Sequence, residues 1–314
     1  MFNGHRRIPP PVNDPVKNYA PGSPERASIK ARLSCMAGEV VDIPLIIGGK
    51  AVTTGSTADA VMPHDHKHVL GHYHKASEAH VQQAIAAAQA AHDEWASWSF
   101  DDRAAIMLKA AELLTTTWRD TINAATMLGQ SKTVFQAEID SGAEIVDFWR
   151  FNVHYGQELL DEQPVSDHTM WNQLEYRALE GFVYAVTPFN FTSIAANLPT
   201  APALMGNTVV WKPASSAMFA AHYLMKLYEA AGMIAGIKAL LDEAVEAGEL
   251  LRCDTTRLAR AVQGLIGGSL LQWAIDREGK AADRLREDLD SLLKPRHCPP
   301  RNRRRFARPA VRKV

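Results

Sequence analysis

The sequence predicts an α/β fold with a small parallel sheet, followed by a segment that is almost wholly helical. Two continuous apolar runs, at 182–186 and 207–211, enclose a stretch of small residues at 192–205 that is long enough for one helix. Runs too continuous to alternate are typical of parallel strands buried on both faces, so they indicate one strand–helix–strand unit. Ligands bind such sheets at the carboxyl ends of the strands, here 187–190 and 212–215.

The first 60 residues are expected to form an arm and the first strands. Residues 1–32 are polar and rich in proline, which favours an arm without a core of its own. The apolar run at 43–49 then indicates the first strands.

Five histidines follow at alternating positions, namely His64, His66, His68, His72 and His74. In an extended chain this spacing places several imidazoles on one face, which is a workable geometry for zinc or nickel. No cysteine lies nearby, and a solvated hairpin explains the same residues without a metal. We therefore predict no metal site.

Helical spacing of apolar residues predicts three helices, over 76–94, 101–116 and 121–128. Gly129 is expected to end the third helix. A further helix is expected to run through Glu144 to Tyr155.

Composition limits the class of protein. The chain has 314 residues, 46% of them hydrophobic, and a formal net charge of −1, so no strongly charged partner is demanded overall. The sequence contains no apolar run of membrane-span length and no apolar signal core, and we expect a cytoplasmic protein without a membrane partner. Residues 296–314 carry eight Lys or Arg and no acid, which predicts a disordered basic tail with at most nonspecific phosphate binding.

Two motifs in the strand–helix–strand unit resemble the cofactor domain of aldehyde dehydrogenases, which is Rossmann-like. They are Thr-Pro-Phe-Asn-Phe at 187–191 and Gly-Asn-Thr-Val-Val-Trp-Lys-Pro at 206–213. The resemblance implies that Asn190 donates to the oxyanion of a thiohemiacetal and that Lys212 holds the adenosine ribose of NAD. It further implies cofactor contacts by Thr187, Pro188, Phe189 and Ser215. An alternative for Asn190 is the capping of the helix that follows it.

A second run, Met-Leu-Gly-Gln-Ser-Lys-Thr-Val-Phe-Gln-Ala-Glu-Ile-Asp at 127–140, resembles one branch of that family, the pyrroline-5-carboxylate dehydrogenases. These enzymes oxidise glutamate semialdehyde, a small-molecule aldehyde, to glutamate with NAD during proline breakdown. The resemblance places Glu138 and Phe191 in the substrate pocket. It also makes 163–179 the start of an oligomerisation hairpin, a polar strand pair.

Later motifs of the family do not follow Gly232. The sequence has no Gly-Ser-Thr-x-x-Gly turn, no Glu-x-Gly-Gly-Lys general base and no Gly-Gln-x-Cys nucleophile. The three cysteines, Cys35, Cys253 and Cys298, are scattered, and no motif places one beside Asn190. We therefore expect a truncated, chimeric and inactive dehydrogenase; a working enzyme of the same family is the alternative.

The carboxyl-terminal segment is predicted to hold helices at 237–251, 256–277 and 281–293. Its second helix has an apolar stripe made of Leu258, Val262, Leu265, Ile266, Leu270 and Trp273. The segment resembles the last helices of tetracycline-repressor-like regulators, which implies a ligand-binding or dimerising module; a generic amphipathic pair is the alternative. A DNA-reading head is absent from the sequence, so no specific nucleic acid is expected.

The expected organisation has five parts. They are an arm with first strands (1–60), a helical part with the hairpin (61–180), a partial NAD-binding unit (181–232), a helical segment that supports a homodimer (233–295) and a basic tail (296–314).

Overall fold

The computed structural model describes residues 8–233, 245–246, 250–253, 255, 258, 261–262 and 281–293. They belong to two compact units, 1–234 and 235–314. The first unit combines helices with three small sheets, which confirms the predicted α/β class. No helix among these residues is long and apolar enough to cross a membrane.

The helices of the first unit enclose its core. They are α1 (Pro24–Ala37), α2 (Glu78–Ala96), α3 (Phe100–Thr115), α4 (Arg119–Gln130), α5 (Val134–Ala137), a π-helix (Glu138–Glu144), α6 (Ile145–Asp161), α7 (Thr192–Leu204) and α8 (Met218–Ala231). Leu114, Ile122, Trp149 and Leu224 are fully buried among them. Burial of such large apolar side chains contributes roughly 1.5–3 kcal/mol each to folding.

The strands form three separate sheets. They are β1 (Val41–Ile43), β2 (Leu45–Ile47), β3 (Lys50–Val52), β4 (Thr57–Met62), β5 (Asp65–His74), β6 (Val183–Val186) and β7 (Val209–Lys212). The first sheet has the order β1-β5-β4, and β2-β3 and β6-β7 are pairs. The β6-β7 pair is parallel and is joined through α7, as the apolar runs predict.

The histidine-rich stretch forms the β4–β5 hairpin. Its imidazoles turn to separate partners: His68 to the carbonyl of Ala37 at 2.7 Å, His72 to Asp59 at 2.8 Å and His74 to Asp42 at 3.1 Å. Within the described residues no group of three or more His, Cys, Asp or Glu could hold a metal ion. His68, His72 and His74 are thus engaged in separate contacts along the hairpin.

The prediction that Gly129 ends the third helix is wrong, because Gly129 lies inside α4. The helix runs on to Gln130, and Ser131 adopts the left-handed conformation (φ 55°) that stops it. Gly129 is buried where an added Cβ would lie 3.6 Å from the Cβ of Phe219 on α8. The glycine thus serves the contact between two helices instead of a cap.

The amino-terminal arm contains a helix, α1, which the prediction of a coreless arm did not include. Ser23 caps α1 by accepting the backbone N–H of Arg26, and Pro24 occupies the first helical position. Both are ordinary helix-start signals, so the sequence did carry the information. Ahead of α1, Asp14 and Tyr19 are buried in the helical layer, so the arm packs on a core formed by other segments.

Residues 162–182 form no strand, so the expected strand pair is absent from this segment as described. The chain turns at Asp167, where the backbone N–H of Asp167 donates to the carbonyl of Met170 at 2.9 Å. Side chains connect the flanks: Leu174 N–H donates to Gln163 at 2.8 Å, and Asn172 N–H donates to Ser166 at 2.9 Å. The oligomerisation role of this turn stays a prediction.

In the second unit the structure describes a helix, α9 (Ala281–Leu293), and a small apolar cluster. Leu250, Leu258 and Val262 are its buried members, and Leu289, Leu292 and Leu293 of α9 pack against them. The remaining stripe positions Leu265, Ile266, Leu270 and Trp273, together with Cys298 and the tail, lie outside the described residues.

Candidate active site

The two segments predicted to bind ligand meet at one end of the β6-β7 sheet. The parallel register pairs Val186 with Lys212, so both strands end side by side. The backbone N–H of Thr187 then donates to the carbonyl of Lys212 at 3.2 Å. The indole N–H of Trp211 donates to the Thr187 hydroxyl at 2.9 Å, which explains why this polar residue is buried.

The side chains at this end differ in exposure. Asn190, Lys212 and Ser215 are exposed, and within the part of the chain that the structure describes no partner is recorded for the Asn190 amide or the Lys212 ammonium. Phe189 is also exposed, whereas Pro188 is half-buried. A neutral amide and an ammonium group, both open to solvent at a strand end, form a donor set suited to oxyanions and sugar hydroxyls.

Asn190 does not cap α7. The residue at the cap position is Phe191, which has no side-chain acceptor, and the first two helical N–H groups turn to a distant residue. Asp140 of the π-helix accepts from Thr192 N at 3.1 Å and from Ser193 N at 3.0 Å. The capping alternative for Asn190 is therefore wrong, and its amide is left available for a ligand.

Lys132 completes the group around Asp140. Its ammonium Nζ donates to Asp140 Oδ2 at 2.6 Å and lies 4.6 Å from the centroid of the Phe191 ring. Gln130, two residues earlier, donates from Nε2 to the Thr192 hydroxyl at 2.8 Å. Sequence reasoning missed these residues because nothing local indicates that a turn after α4 would contact a helix some sixty residues later.

Glu138 lies at the centre of a buried polar cluster. Its carboxylate accepts from Lys17 N at 2.7 Å, Tyr19 Oη at 2.8 Å, Asn123 Nδ2 at 2.7 Å and Arg119 Nη2 at 2.5 Å. Burial by itself would raise the pKa of Glu138, but the hydrogen bonds from Arg119 and Lys17 outweigh it and hold that pKa below its ordinary value.

The Glu138 side chain is 0% exposed, and its oxygens are already committed to protein donors. Its assignment to a substrate pocket stays a prediction that the geometry does not favour. Phe191 differs, because its ring is 43% exposed beside Asn190 in the chain.

Cys35 lacks the features of a catalytic thiol. Cys35 is exposed on α1, where a hydrogen bond to Glu39 and the charge of that carboxylate raise its pKa. A raised pKa leaves less thiolate, which is the reverse of nucleophile activation. Cys253 is exposed in the second unit.

The fold and this site define a class of protein: α/β, with a strand–helix–strand unit whose strand ends expose an amide and an ammonium group. The sequence profile described as the Aldehyde dehydrogenase family matches residues 51–259. The chain therefore belongs to the aldehyde dehydrogenase family. The match continues past Gly232, where we expected the resemblance to end.

Known relatives place the chain near one branch of the family. It is 47% identical over 233 residues to the Delta-1-pyrroline-5-carboxylate dehydrogenase of Agaricus bisporus, covering 74% of this chain and 43% of the relative. It is 44% identical over 222 residues to the mitochondrial human enzyme of that name, covering 71% and 39%. The chain thus spans less than half the length of the curated relatives it matches.

Solved structures that bear the same enzyme name also match this chain. The Delta-pyrroline-5-carboxylate dehydrogenase from Mycobacterium tuberculosis bound with NAD matches with a TM-score of 0.72 and 51% identity, covering 74% of this chain and 43% of that one. A 1-pyrroline-5-carboxylate dehydrogenase from Thermus with bound NAD gives 0.67 and 26%, covering 72% and 44%. The fold is thus of the aldehyde dehydrogenase type over about three quarters of the chain.

Proposed function

We propose that this chain carries the amino-terminal part of an NAD-dependent pyrroline-5-carboxylate (glutamate-semialdehyde) dehydrogenase. The observation that carries the proposal is the shared end of β6 and β7, where Asn190 and Lys212 are exposed. The family match and the relatives that bear this enzyme's name support it. Its substrate is then a small aldehyde with an acidic tail, and NAD accepts the hydride when bound.

Each residue at the strand ends has a role in this proposal. Lys212 donates to ribose hydroxyls of NAD, and Ser215 lies three residues further on with its hydroxyl exposed. Thr187, Pro188 and Phe189 form the turn that would contact the nicotinamide end of the cofactor. Thr187 keeps the turn in place through its bonds to the Lys212 carbonyl and to Trp211.

Asn190 is the oxyanion donor. Its amide has no competing partner among the described residues, so it can donate to negative charge that develops on an aldehyde oxygen. Removal of one such preorganised donor costs about 10²–10³ in rate in enzymes that use one. Phe191 belongs to the substrate pocket in this proposal, whereas Glu138, the other residue that the resemblance places there, is buried and bonded within its own cluster.

NAD binding is testable directly by titration calorimetry on the 314-residue chain. We expect saturable binding that is weakened about tenfold or more in Lys212→Met, because a charged hydrogen bond is worth roughly 1.5–3 kcal/mol. The control Lys226→Met removes an exposed lysine from α8 and should leave the affinity unchanged. Equal affinity in all three proteins would overturn the role of Lys212.

We further propose that a polypeptide of these 314 residues does not oxidise the aldehyde by the family's covalent route, because the site residues include no thiol. Glutamate semialdehyde with NAD should then give no NADH above background. NADH formation that Asn190→Ala abolishes would contradict this and would instead establish a working enzyme.

Two finer predictions concern assembly and location. The apolar packing of α9 on Leu258 and Val262 fits an amphipathic helical unit, and we propose that the helices of this unit form a homodimer. Sedimentation should show a dimer that Trp273→Ala weakens, and a monomer at all concentrations would exclude it. The regulator-like ligand module is the competing function for this segment.

We also propose a cytoplasmic location, which cell fractionation can test against the mitochondrial location that several relatives' names carry.

A further inference from the structure

The turn that carries Asn190 is held from within the strand–helix–strand unit at Thr187 and from outside it at the start of α7. It leads directly into α7, whose first two N–H groups are accepted by Asp140 of the π-helix at 3.1 and 3.0 Å. An external carboxylate at this position satisfies two donors at once and interacts favourably with the positive end of the helix dipole. The start of α7 is thus fixed relative to the helical layer.

Lys132 ties this cap to the aromatic neighbour of Asn190. Its ammonium group bonds to Asp140 at 2.6 Å and lies 4.6 Å from the Phe191 ring centroid, within the range of a cation–π contact. Lys132 and Asp140 are both largely buried, with 16% and 5% of their side chains exposed. A pair so shielded from solvent is stronger than an exposed surface pair.

The backbone around Lys132 supports the same contact. Ser131 takes a left-handed conformation that non-glycine residues rarely adopt, and His64 Nδ1 lies 2.7 Å from its hydroxyl. The two neighbours of Ser131 both contact the start of α7, Gln130 through its bond to the Thr192 hydroxyl and Lys132 through the Phe191 ring. Asp140 itself belongs to a π-helix, a rare conformation found frequently at functional sites.

We propose that Lys132 and Asp140 are positioning residues that hold the Phe189–Thr192 turn, and with it the Asn190 amide, in place for the reaction. The inference rests on the proposed function in one respect, the role of Asn190 as oxyanion donor. The positioning itself concerns the order of the turn, which can be measured without turnover. A one-ångström displacement of such a donor would be enough to impair catalysis.

The test is amide exchange and ¹⁵N relaxation on the 314-residue chain. In Asp140→Ala we expect exchange at Thr192 and Ser193 to rise about tenfold, as for loss of a strong helix cap. The order parameter of the Asn190 backbone N–H should fall from about 0.85 to below about 0.6. Amides in α3 should keep their protection.

Two further variants separate positioning from general damage. Lys132→Met keeps the side-chain length and removes the charge, so it should loosen Phe191 and Asn190, whereas Lys132→Arg should restore their order. Asp59→Asn makes the acid-to-amide change in the exposed His72 pair and should alter nothing at the turn.

The proposal is overturned if the order of Asn190 in folded Lys132→Met equals that in Asp59→Asn. The same reading decides the matter should Asp140→Ala not fold. NAD affinity, measured on the same proteins, distinguishes the two proposals. If NAD does not bind although the Asn190 turn is ordered, the proposed function is wrong and the positioning proposal still stands.

Discussion

At the scale of single residues, Arg119 joins the arm to the helical layer. Its guanidinium is 1% exposed and bonds to Asp14, to the carbonyl of Pro15 and to both oxygens of Glu138. Burial lowers the pKa of Arg119, but the hydrogen bonds to Glu138 and Asp14 outweigh it, so that pKa is raised and the charge is retained. Removal of one partner from such a group leaves uncompensated buried charge.

Arg119→Met should therefore reduce the free energy of unfolding by about 3–5 kcal/mol. Urea denaturation followed by circular dichroism measures it. Arg177→Met is the matched control, because its pair with Glu180 has both side chains more than 80% exposed and should contribute less than about 1 kcal/mol. Similar losses in the two variants would show that the buried cluster contributes no special stability.

His222 on α8 gives the first unit a dependence on pH. Burial, followed by the charge of Lys226, lowers the pKa of His222 from 6.5 to about 4, while Asp42 raises it slightly. The folded state thus resists protonation more than the unfolded state. The stabilising contribution of neutral His222 is complete above pH 6.5 and is lost as the pH falls toward 4.

The free energy of unfolding should fall by about 3 kcal/mol between pH 6.5 and pH 4 because of His222. His222→Gln should flatten that part of the curve of stability against pH. Melting temperatures between pH 4 and 7 measure it. His66→Gln, on the exposed part of β5, should keep the wild-type profile. An unchanged slope in His222→Gln would show that other groups cause the acid sensitivity.

At the scale of elements, close backbone approach decides which strands can pair. Gly71 in β5 faces Val41 of β1, and a Cβ there would lie 2.6 Å from the Val41 carbonyl oxygen and 2.8 Å from its Cγ2. Neither neighbour is the end of a long flexible side chain. The parallel β1–β5 contact thus requires glycine at this position.

Gly71→Ala should cost about 1–3 kcal/mol through overpacking and should displace β1. Gly55→Ala is the control, since an added Cβ at that glycine meets nothing within 4 Å. Thermal melts and amide exchange in 41–43 report both effects. A wild-type melt for Gly71→Ala would mean that β1 yields without loss.

At the scale of the whole molecule, the β6-β7 sheet exposes apolar surface. Tyr184 and Val186 of β6 are 59% and 54% exposed on a sheet of only two strands, and Phe189 in the turn after β6 is 63% exposed. Unpaired strand edges with apolar side chains promote association between chains. The 314-residue chain should therefore self-associate when it is expressed alone.

Tyr184→Lys should reduce that association, because a charge on a short edge opposes pairing. Sedimentation velocity over a range of concentrations gives the fraction of aggregate. Val12→Lys adds the same charge at an exposed apolar residue outside the sheet and should change little. Equal effects of the two variants would attribute the change to net charge.

The sequence by itself determined the strand–helix–strand unit, most helices of the first unit and the family. Continuous apolar runs and helical spacing are local signals, and the motifs at 187–191 and 206–213 carry the resemblance. Asn190 and Lys212 follow from those motifs, and the parallel register of β6 and β7 sets them at one sheet end.

Only the tertiary structure decided what surrounds these residues. Asp140 caps a helix 52 residues further along the chain, and Tyr19 bonds to Glu138 across 119 residues, so Glu138 lies in a buried cluster and Lys132 beside Phe191. Contacts at such separations depend on how elements pack, and no local pattern encodes them. The physical reason is that a buried polar group must find its partner wherever the fold brings one within hydrogen-bond distance.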